Sequence, residues 1–490
     1  MYFNKSLAVL QSYFTNLDYS CKIDYIIMPK ISPTLRLWVV SISAILFITI
    51  GTALLVAYGQ GYSFDINARQ LRSSGLVLID SDPSGAKIKL SGKATEKQTP
   101  YRYTNASAGN LQIELQKNGY RAWQAIETVV NGTVTFSNYA LLLPEVLSQQ
   151  NIDQGQPYSA IIQSEDKQKT VGLTKSKLEL YVVSDKSESK LIYQPPPASV
   201  PSKSVVELAN LVMSRDGSSV LFQQKLANGE VQSLVVQTNN GQIDNLSTEF
   251  GFAFSDLRFN QNDSNELFWL EAGVLKKIKI NEHIISSNLI SDIASLSVQK
   301  DRLLVVSTTV ASDTSQKLLS YDLAGNDKRE LSSLKPDPMG YQTSFIHSRY
   351  SEYITVIYNT TKELELIKNP YFNQSVRSEG SGVNALIASP NGRLLVISQD
   401  NRLRTIDLEF DQEYSFGTNL TGLGDWRWYD DYHLLLLQNN QLRLVDFDGQ
   451  NDQLLTPIAD VVGFSLHPSD KYIVPLNSTG NIFKLWLIKK

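Results

Sequence analysis

Hydrophobic and polar positions follow three rhythms along this chain. From Leu37 to Tyr58 the run LWVVSISAILFITIGTALLVAY holds 22 residues without a charge. At ~1.5 Å per residue an α-helix of that length reaches roughly 33 Å, enough to cross the hydrocarbon layer of a bilayer. Residues 75–144 instead alternate in short segments: LVLID, AKIKLSG, NLQIELQKNGY, RAWQAIETVV and TVTFSNYALLL. Turn signals part them, at Asp82-Pro83-Ser84-Gly85, Ser91-Gly92-Lys93, Ala108-Gly109-Asn110, Asn118-Gly119 and Asn131-Gly132. Alternation between such turns predicts a compact antiparallel β-sandwich. After residue 154 come apolar runs of five to eight residues rich in Val, Ile, Leu, Tyr and Phe, with no long amphipathic helix among them. Short strands with recurring turns call for a search for repeats.

Two markers repeat. Ser214-Arg215-Asp216-Gly217 precedes SVLFQQ, Ser389-Pro390-Asn391-Gly392 precedes RLLVIS, and His467-Pro468-Ser469-Asp470 precedes KYIVPL. The first two lie 175 residues apart, four units of nearly 44, and the last two 78 apart, two units of 39. The second marker runs from Tyr321-Asp322-Leu323-Ala324-Gly325-Asn326-Asp327 and returns at Val445-Asp446-Phe447-Asp448-Gly449-Gln450-Asn451-Asp452, 124 residues later, or three units. Both agree on a period of about 42, the length of one four-stranded propeller blade. Residues 155–490 hold eight such units, or seven if the N-terminal strand closes the last blade. Stretches near 250–290 and 340–380 fit the pattern poorly, and an array of β-sandwiches is the structural alternative.

The run Ile79-Asp80-Ser81-Asp82-Pro83-Ser84-Gly85-Ala86 is followed in order by Ser91-Gly92-Lys93, Thr99-Pro100, Ala108-Gly109, Lys117-Asn118-Gly119-Tyr120 and Leu143-Pro144. This resembles the PEGA domain, with Ser84 in place of the motif's Glu. The resemblance implies a small β-domain of surface and envelope proteins without chemistry of its own. Gly85 and Gly109 suit positive-φ turns, and Tyr120 and Trp123 suit the core. Tyr101, Tyr103 and Trp123 are the alternative as ligand-stacking rings. The phased turns of the large domain resemble the WD-like repeats of the periplasmic propeller of the Tol system and the propellers of prolyl oligopeptidase relatives.

The expected fold is therefore an all-β ectodomain, a small PEGA-like β-sandwich plus a seven- or eight-bladed β-propeller, anchored by one N-terminal transmembrane helix. The expected domains are a cytoplasmic tail (1–36), transmembrane helix (37–58), juxtamembrane linker (59–74), PEGA-like sandwich (75–144), polar linker (145–154) and propeller (155–490). A buried core helix and a cleavable signal peptide are alternatives for the apolar run. Lys5, Lys22, Lys30 and Arg36 against Asp18 and Asp24 precede the run, whereas Asp65, Arg69 and Arg72 follow it. That bias puts the N-terminus in the cytoplasm of a single-pass plasma-membrane protein. Met28 offers a second translation start.

Composition narrows the class. Lys plus Arg is 45 and Asp plus Glu 49, a net charge of -4, so nucleic acid is not an expected partner. One cysteine, Cys21, excludes a disulfide framework, and it is either a plain thiol or a palmitoylation site. An ectodomain without cysteine points to a bacterial or archaeal cell, where the Asn-x-Ser/Thr triplets at Asn105, Asn131, Asn245, Asn359, Asn419 and Asn477 are chance.

No catalytic constellation is found. G-x-S-x-G, the P-loop and G-x-G-x-x-G are all missing, and His283, His347, His433 and His467 lack ligand spacing, reading as turn or surface residues. Catalytic residues, cofactors and metals are thus expected to be none. Asp446, Asp448, Asn451 and Asp452 resemble a calcium loop incompletely, and a blade hairpin turn explains them better. The densest aromatic cluster, Trp426, Arg427, Trp428 and Tyr429, is either an inner strand packed between blades or a partner-binding patch on the central funnel. The expected function is non-enzymatic binding or scaffolding of a cell-wall polymer or envelope protein through the propeller. The alternatives are a propeller lyase or glycosidase acting on envelope glycans, and a sensor.

Overall fold

The computed structural model describes residues 33–59, 62–65, 70–153, 156–184, 188–308, 315–416, 421–455, 458, 460–469 and 471–488. Cys21, both translation starts, Asn419 and Asp470 lie outside the described residues, as does the tail up to residue 32. By its packing the chain falls into two units. One comprises Met1–Leu76, Thr104–Ala108 and Val129–Val134, and the other Val77–Tyr103, Gly109–Thr128 and Thr135–Lys490.

The uncharged run forms α1, Pro33–Gly59. Its stretch Leu37–Ala57 is, by length and composition, long and apolar enough to cross a membrane, and none of it is buried in the protein. Its described side chains point outward on all sides, Trp38, Phe47 and Leu55 among them. Its hydroxyls return to the helix backbone: Ser43 donates to Val40 O at 2.9 Å and Thr49 to Ile45 O at 2.8 Å. These two donors are thereby satisfied within the helix.

The small β-domain contains β1 (Tyr62–Asp65), β2 (Gln70–Asp82), β3 (Lys87–Leu90), β4 (Lys93–Gln98), β5 (Tyr101–Ser107), β6 (Gly109–Gln116), β7 (Trp123–Val129) and β8 (Val134–Leu141). One sheet has the order β4-β3-β6-β7; the other has β1-β2-β5, with β8 also on β2. β1 and the start of β2 occupy much of 59–74, expected to be a linker, because they pair as an antiparallel hairpin. Ile79, Ile88, Ile113, Leu115 and Trp123 are fully buried. The Pro83-Ser84-Gly85-Ala86 turn is held by main chain and Thr99. Gly85 N donates to Thr99 O at 2.8 Å, Ala86 N to Thr99 Oγ1 at 3.0 Å, and Ser81 Oγ lies 2.7 Å from Thr99 Oγ1. Gly85 sits at φ 83°, where a Cβ is disfavoured. None of these contacts uses the side chain at 84, so Ser replaces Glu there without loss.

The large domain is eight four-stranded antiparallel sheets. Seven are consecutive, spanning residues 158–193, 205–245, 257–285, 293–334, 341–378, 383–415 and 423–454; these are blades 1 to 7. Blade 8 takes three strands from 461–486, and its fourth is β9, Gln149–Asp153, paired with Ile482–Trp486. The segment expected as a linker over 145–154 therefore includes the strand that closes the ring. It reads as polar because an outer strand has one edge in water. The first strand of blade 1 also packs beside the first strands of blades 2 and 8. Among the described residues the blades number eight, the last completed by the strand Gln149–Asp153.

Burial follows strand position. Second strands, covered on both faces by neighbouring blades, carry unbroken apolar runs, as in Leu394–Gln399, His433–Gln438 and Tyr472–Asn477. Outermost strands such as Ser375–Ser378 and Gln412–Ser415 are polar and exposed, which protects their edges from pairing with another chain. Apolar clusters lie between successive blades; one joins Leu173, Leu180, Val220 and Phe222, the next Leu221, Val235, Leu267 and Ile278. The poorly patterned stretches 250–290 and 340–380 are blades 3 and 5, complete in four strands each. Four blades separate the S-R-D-G and S-P-N-G turns, two separate S-P-N-G from H-P-S-D, and three separate the two Asp-rich markers.

Candidate functional site

In each blade the turn between first and second strands lies at the same end as the turn between third and fourth, because successive strands reverse direction. On that face, the ends of first strands and their turns enclose a recess of 380 Å³. Its lining comes from six consecutive blades, through Glu165, Arg215, Gln261, Lys300, His347 and Ser389. Side chains from six blades meet only at the axis of a ring, so the recess is the mouth of the central funnel. Arg215 Nε lies 3.3 Å from Glu165 Oε1, His347 Nδ1 lies 3.5 Å from Glu352 Oε1, and His347 packs on Phe345 with ring centres 4.5 Å apart. Lys300 is exposed. Gly392 comes so close to blade 5 that a Cβ there would lie 1.9 Å from His347 O. Between blades 1 and 8, Leu466 N donates to Gln163 Oε1 at 2.9 Å, and Lys167 Nζ reaches Tyr429 O of blade 7 at 3.0 Å.

The aromatic cluster expected as a partner patch sits at the first strand of blade 7 (Leu423–Trp428) and the residue after it. Trp426, Trp428 and Tyr429 are buried in the packing between blades, and Trp428 Nε1 donates to Ile387 O of blade 6 at 3.1 Å. Arg427 keeps partial exposure, paired with Asp425 at 2.6 Å and lying over Phe464 at 5.2 Å. The three rings are packing residues in this structure, with little surface of their own. A partner approaching this run meets Arg427 and Asp425.

The Asp-rich marker of blade 7 is a hairpin turn between third and fourth strands. Asp452 pairs with Arg443 at 2.8 Å and Asp448 Oδ1 accepts Gln450 N at 2.9 Å. Asp446 does something the sequence did not disclose. Its Oδ2 accepts Trp123 Nε1 of the small domain at 2.8 Å and Asn451 Nδ2 at 2.8 Å. Asn451 also joins the small domain, donating to Gln124 O at 2.7 Å and accepting Gln124 N at 2.9 Å; Arg121 Nη1 reaches Leu454 O at 2.8 Å. Tyr139 stacks on Tyr432 and meets Phe447 and Trp123 edge-on.

His433, expected at a turn or surface, is buried at the start of a second strand. Its Nδ1 lies 2.8 Å from Asp430 and its Nε2 3.5 Å from Asp446 Oδ1. Burial opposes its charge, but the hydrogen bond and charge of Asp430, with Asp446 behind them, hold its pKa above the ordinary value. Desolvation pushes Asp446 up to about 7 despite His433, and it also raises Asp448 and Glu127. The other three histidines are dispersed: His283 faces Glu249, His347 lines the recess and His467 stacks on Tyr472. Among the described residues no group of three or more His, Cys, Asp or Glu is placed to hold a metal ion.

Residues 74–142 match the PEGA domain. No curated protein matches the chain in sequence. Solved structures similar to it include an oligogalacturonate lyase in complex with manganese, at 12% identity and TM-score 0.39, covering 69% of this chain and 99% of that one. A eukaryotic initiation factor is similar at 13% identity and TM-score 0.44, covering 68% of this chain and 86% of that one. The virginiamycin B lyase from Staphylococcus aureus is similar at 13% identity and TM-score 0.37, covering 70% and 99%. This chain thus carries a PEGA domain at 74–142, between an apolar helix and a β-propeller.

Proposed function

We propose that the protein is a non-enzymatic, membrane-anchored envelope protein of a bacterial cell, and that its propeller engages an envelope polymer or protein partner through the recessed turn face. The recess carries this reading. Six blades contribute to one polar mouth, where Arg215, Lys300, His347 and Gln261 offer cationic and hydrogen-bonding groups, with Glu165 in the lining and Glu352 behind His347. That chemistry suits a partner bearing carboxylates or phosphates. Each exposed ion pair contributes only ~0.2–1 kcal/mol, so useful affinity needs several simultaneous contacts, as a partner spanning the mouth and its turns makes. The uncharged run Leu37–Tyr58 within α1 supports anchoring, and the basic excess before that run supports a cytoplasmic N-terminus with the β-domains outside. The phased S-P-N-G-type turns support a Tol-like kind of propeller, and an ectodomain without cysteine supports a bacterial envelope.

The test is photo-crosslinking in cells with the full chain. A photoreactive residue at His347 is compared with one at Asn440, on the turn between second and third strands of blade 7 and hence on the opposite face. The reading predicts a discrete adduct from position 347 that weakens at least threefold in Arg215→Glu and Lys300→Glu backgrounds, with none from 440. The same adducts from both positions, or none from 347, contradict it.

A further inference from the structure

Between the small β-domain and blade 7 lies a buried polar cluster for which neither strand pairing nor the proposed recess has any use. The small domain contributes Trp123, Gln124, Glu127 and Tyr139; blade 7 contributes Asp430, His433, Asp446, Asp448 and Asn451. Trp123, Tyr139, His433 and Asp446 are all buried. Tyr139 donates to Glu127 Oε1 at 3.1 Å, and the charge of Asp448 in the propeller bears on that small-domain carboxylate. His433 Nε2 is buried and has no hydrogen bond of ordinary length. Beside the cluster an apolar anchor does not titrate: Leu141, Leu143 and Leu147 pack with Tyr429, Leu435 and Phe464 in the core of blades 7 and 8. The end of β8 is thus fixed, and the polar cluster decides how firmly the rest of the domain is held.

We propose that this cluster is a proton-operated latch: it holds the small β-domain firmly against blade 7 in acid and weakens as the pH rises to neutrality. Four carboxylates share the site, Asp446 buried and Glu127, Asp430 and Asp448 half-buried, with one imidazole among them; Asp430 is bound to that imidazole, which leaves the other three. Ionising all three places like charges from the two domains against each other, whereas protons on some of them leave the hydrogen bonds of Trp123 and Asn451 in place.

In the docked state desolvation raises Asp446 from 3.8 to about 7, with Asp448 adding to the shift and His433 opposing it. Desolvation likewise raises Glu127 and Asp448, and His433 is raised by Asp430 and Asp446 against its burial. Asp430 moves the other way, held low by His433, but both belong to blade 7 and stay together when the domains part. Asp431, next in the turn, is raised by burial. Tyr139 is raised by burial and the nearby carboxylates, and Tyr414 is pushed up to about 12, so neither ionises in the range concerned. From blade 6, Arg393 is occupied by Asp407 at 2.7 Å. Groups whose docked pKa is raised bind protons on docking. Their contribution is whole below the undocked pKa, falls as the pH rises through the docked one, and for Asp446 is spent above about 7. For Asp446 alone, a shift from 3.8 to about 7 makes docking on the order of thirtyfold more favourable at pH 5.5 than at pH 8.5.

The test uses the full chain in lipid nanodiscs and amide hydrogen exchange at pH 5.5 and 8.5, corrected for the intrinsic rates. Segments 123–128 and 446–452 are expected to exchange at least tenfold faster, after correction, at the higher pH, while the second strand of blade 3 stays equally protected at both. Asp446→Asn keeps an oxygen for Trp123 and Asn451 and turns its amide toward His433. This variant is expected to remain protected at both values. Should it fail to fold, Glu127→Gln serves, with a reduced pH response expected. Equal corrected rates at the two pH values, or a response that the folded variant leaves unchanged, overturns the proposal.

Discussion

Asp322, Asp407 and Asp446 end the third strands of blades 4, 6 and 7, and one repeat position serves three purposes. Asp322 caps its own turn, accepting Ala324 N at 3.0 Å and Asn326 N at 2.7 Å. Asp407, wholly buried, takes two donors of Arg393 at 3.0 and 2.7 Å, and Asp446 accepts from the small domain. Asp407→Ala would leave a guanidinium whose side chain is only 24% exposed with only Glu409, at 4.0 Å, as a carboxylate partner. We expect a loss of ~3–5 kcal/mol, measured by urea unfolding, and Arg393→Met in the same background should restore part of it. The recurrence of Asp322 and Asp446 was legible in the sequence because turn chemistry depends on near neighbours. Their different employment was not. The partner of Asp446 is 323 residues away, and nothing local to D-F-D-G-Q-N-D distinguishes a turn that caps itself from one that receives a tryptophan. His433 was misplaced for a different reason: its polar partners Asp430 and Asp446 are near in sequence, but its burial is set by packing that the local pattern does not show.

Strand by strand, legibility tracked burial. Second strands announced themselves as apolar runs because both faces are covered, and polar outer strands were the ones lost, β9 above all. Blades 3 and 5 escaped the pattern because their turns differ. Blade 3 uses Asn260-Gln261-Asn262-Asp263 with Asn262 N on Asn260 Oδ1 at 3.0 Å, and blade 5 closes Ser348 N on Ser351 O at 3.0 Å without glycine. Where glycine does occur it can be obligatory. Gly392 combines φ 71° with a hypothetical Cβ 1.9 Å from the backbone of blade 5. Gly392→Ala is expected to cost at least ~2 kcal/mol, lowering the thermal midpoint, because neither the left-handed backbone nor the carbonyl of His347 can yield cheaply. A midpoint unchanged within a degree would show that blades 5 and 6 are not in close contact at this turn.

At the scale of the whole molecule, eight blades closed by a strand from before the first blade give a ring without free edges at its seam, and its rigidity suits a fixed recess. The PEGA domain precedes that closing strand directly, so the chain that forms the sandwich also locks the propeller. The functional reading depends on which side of the membrane this ring occupies. The single native cysteine, Cys21, precedes α1 and makes the side measurable. Intact cells expressing either the native chain or a Cys21→Ser, Lys300→Cys variant are treated with a membrane-impermeant maleimide, before and after permeabilisation. Residue 300 is expected to label in intact cells and Cys21 only once the membrane is breached. Labelling of Cys21 in intact cells, with residue 300 protected until they are opened, contradicts that reading.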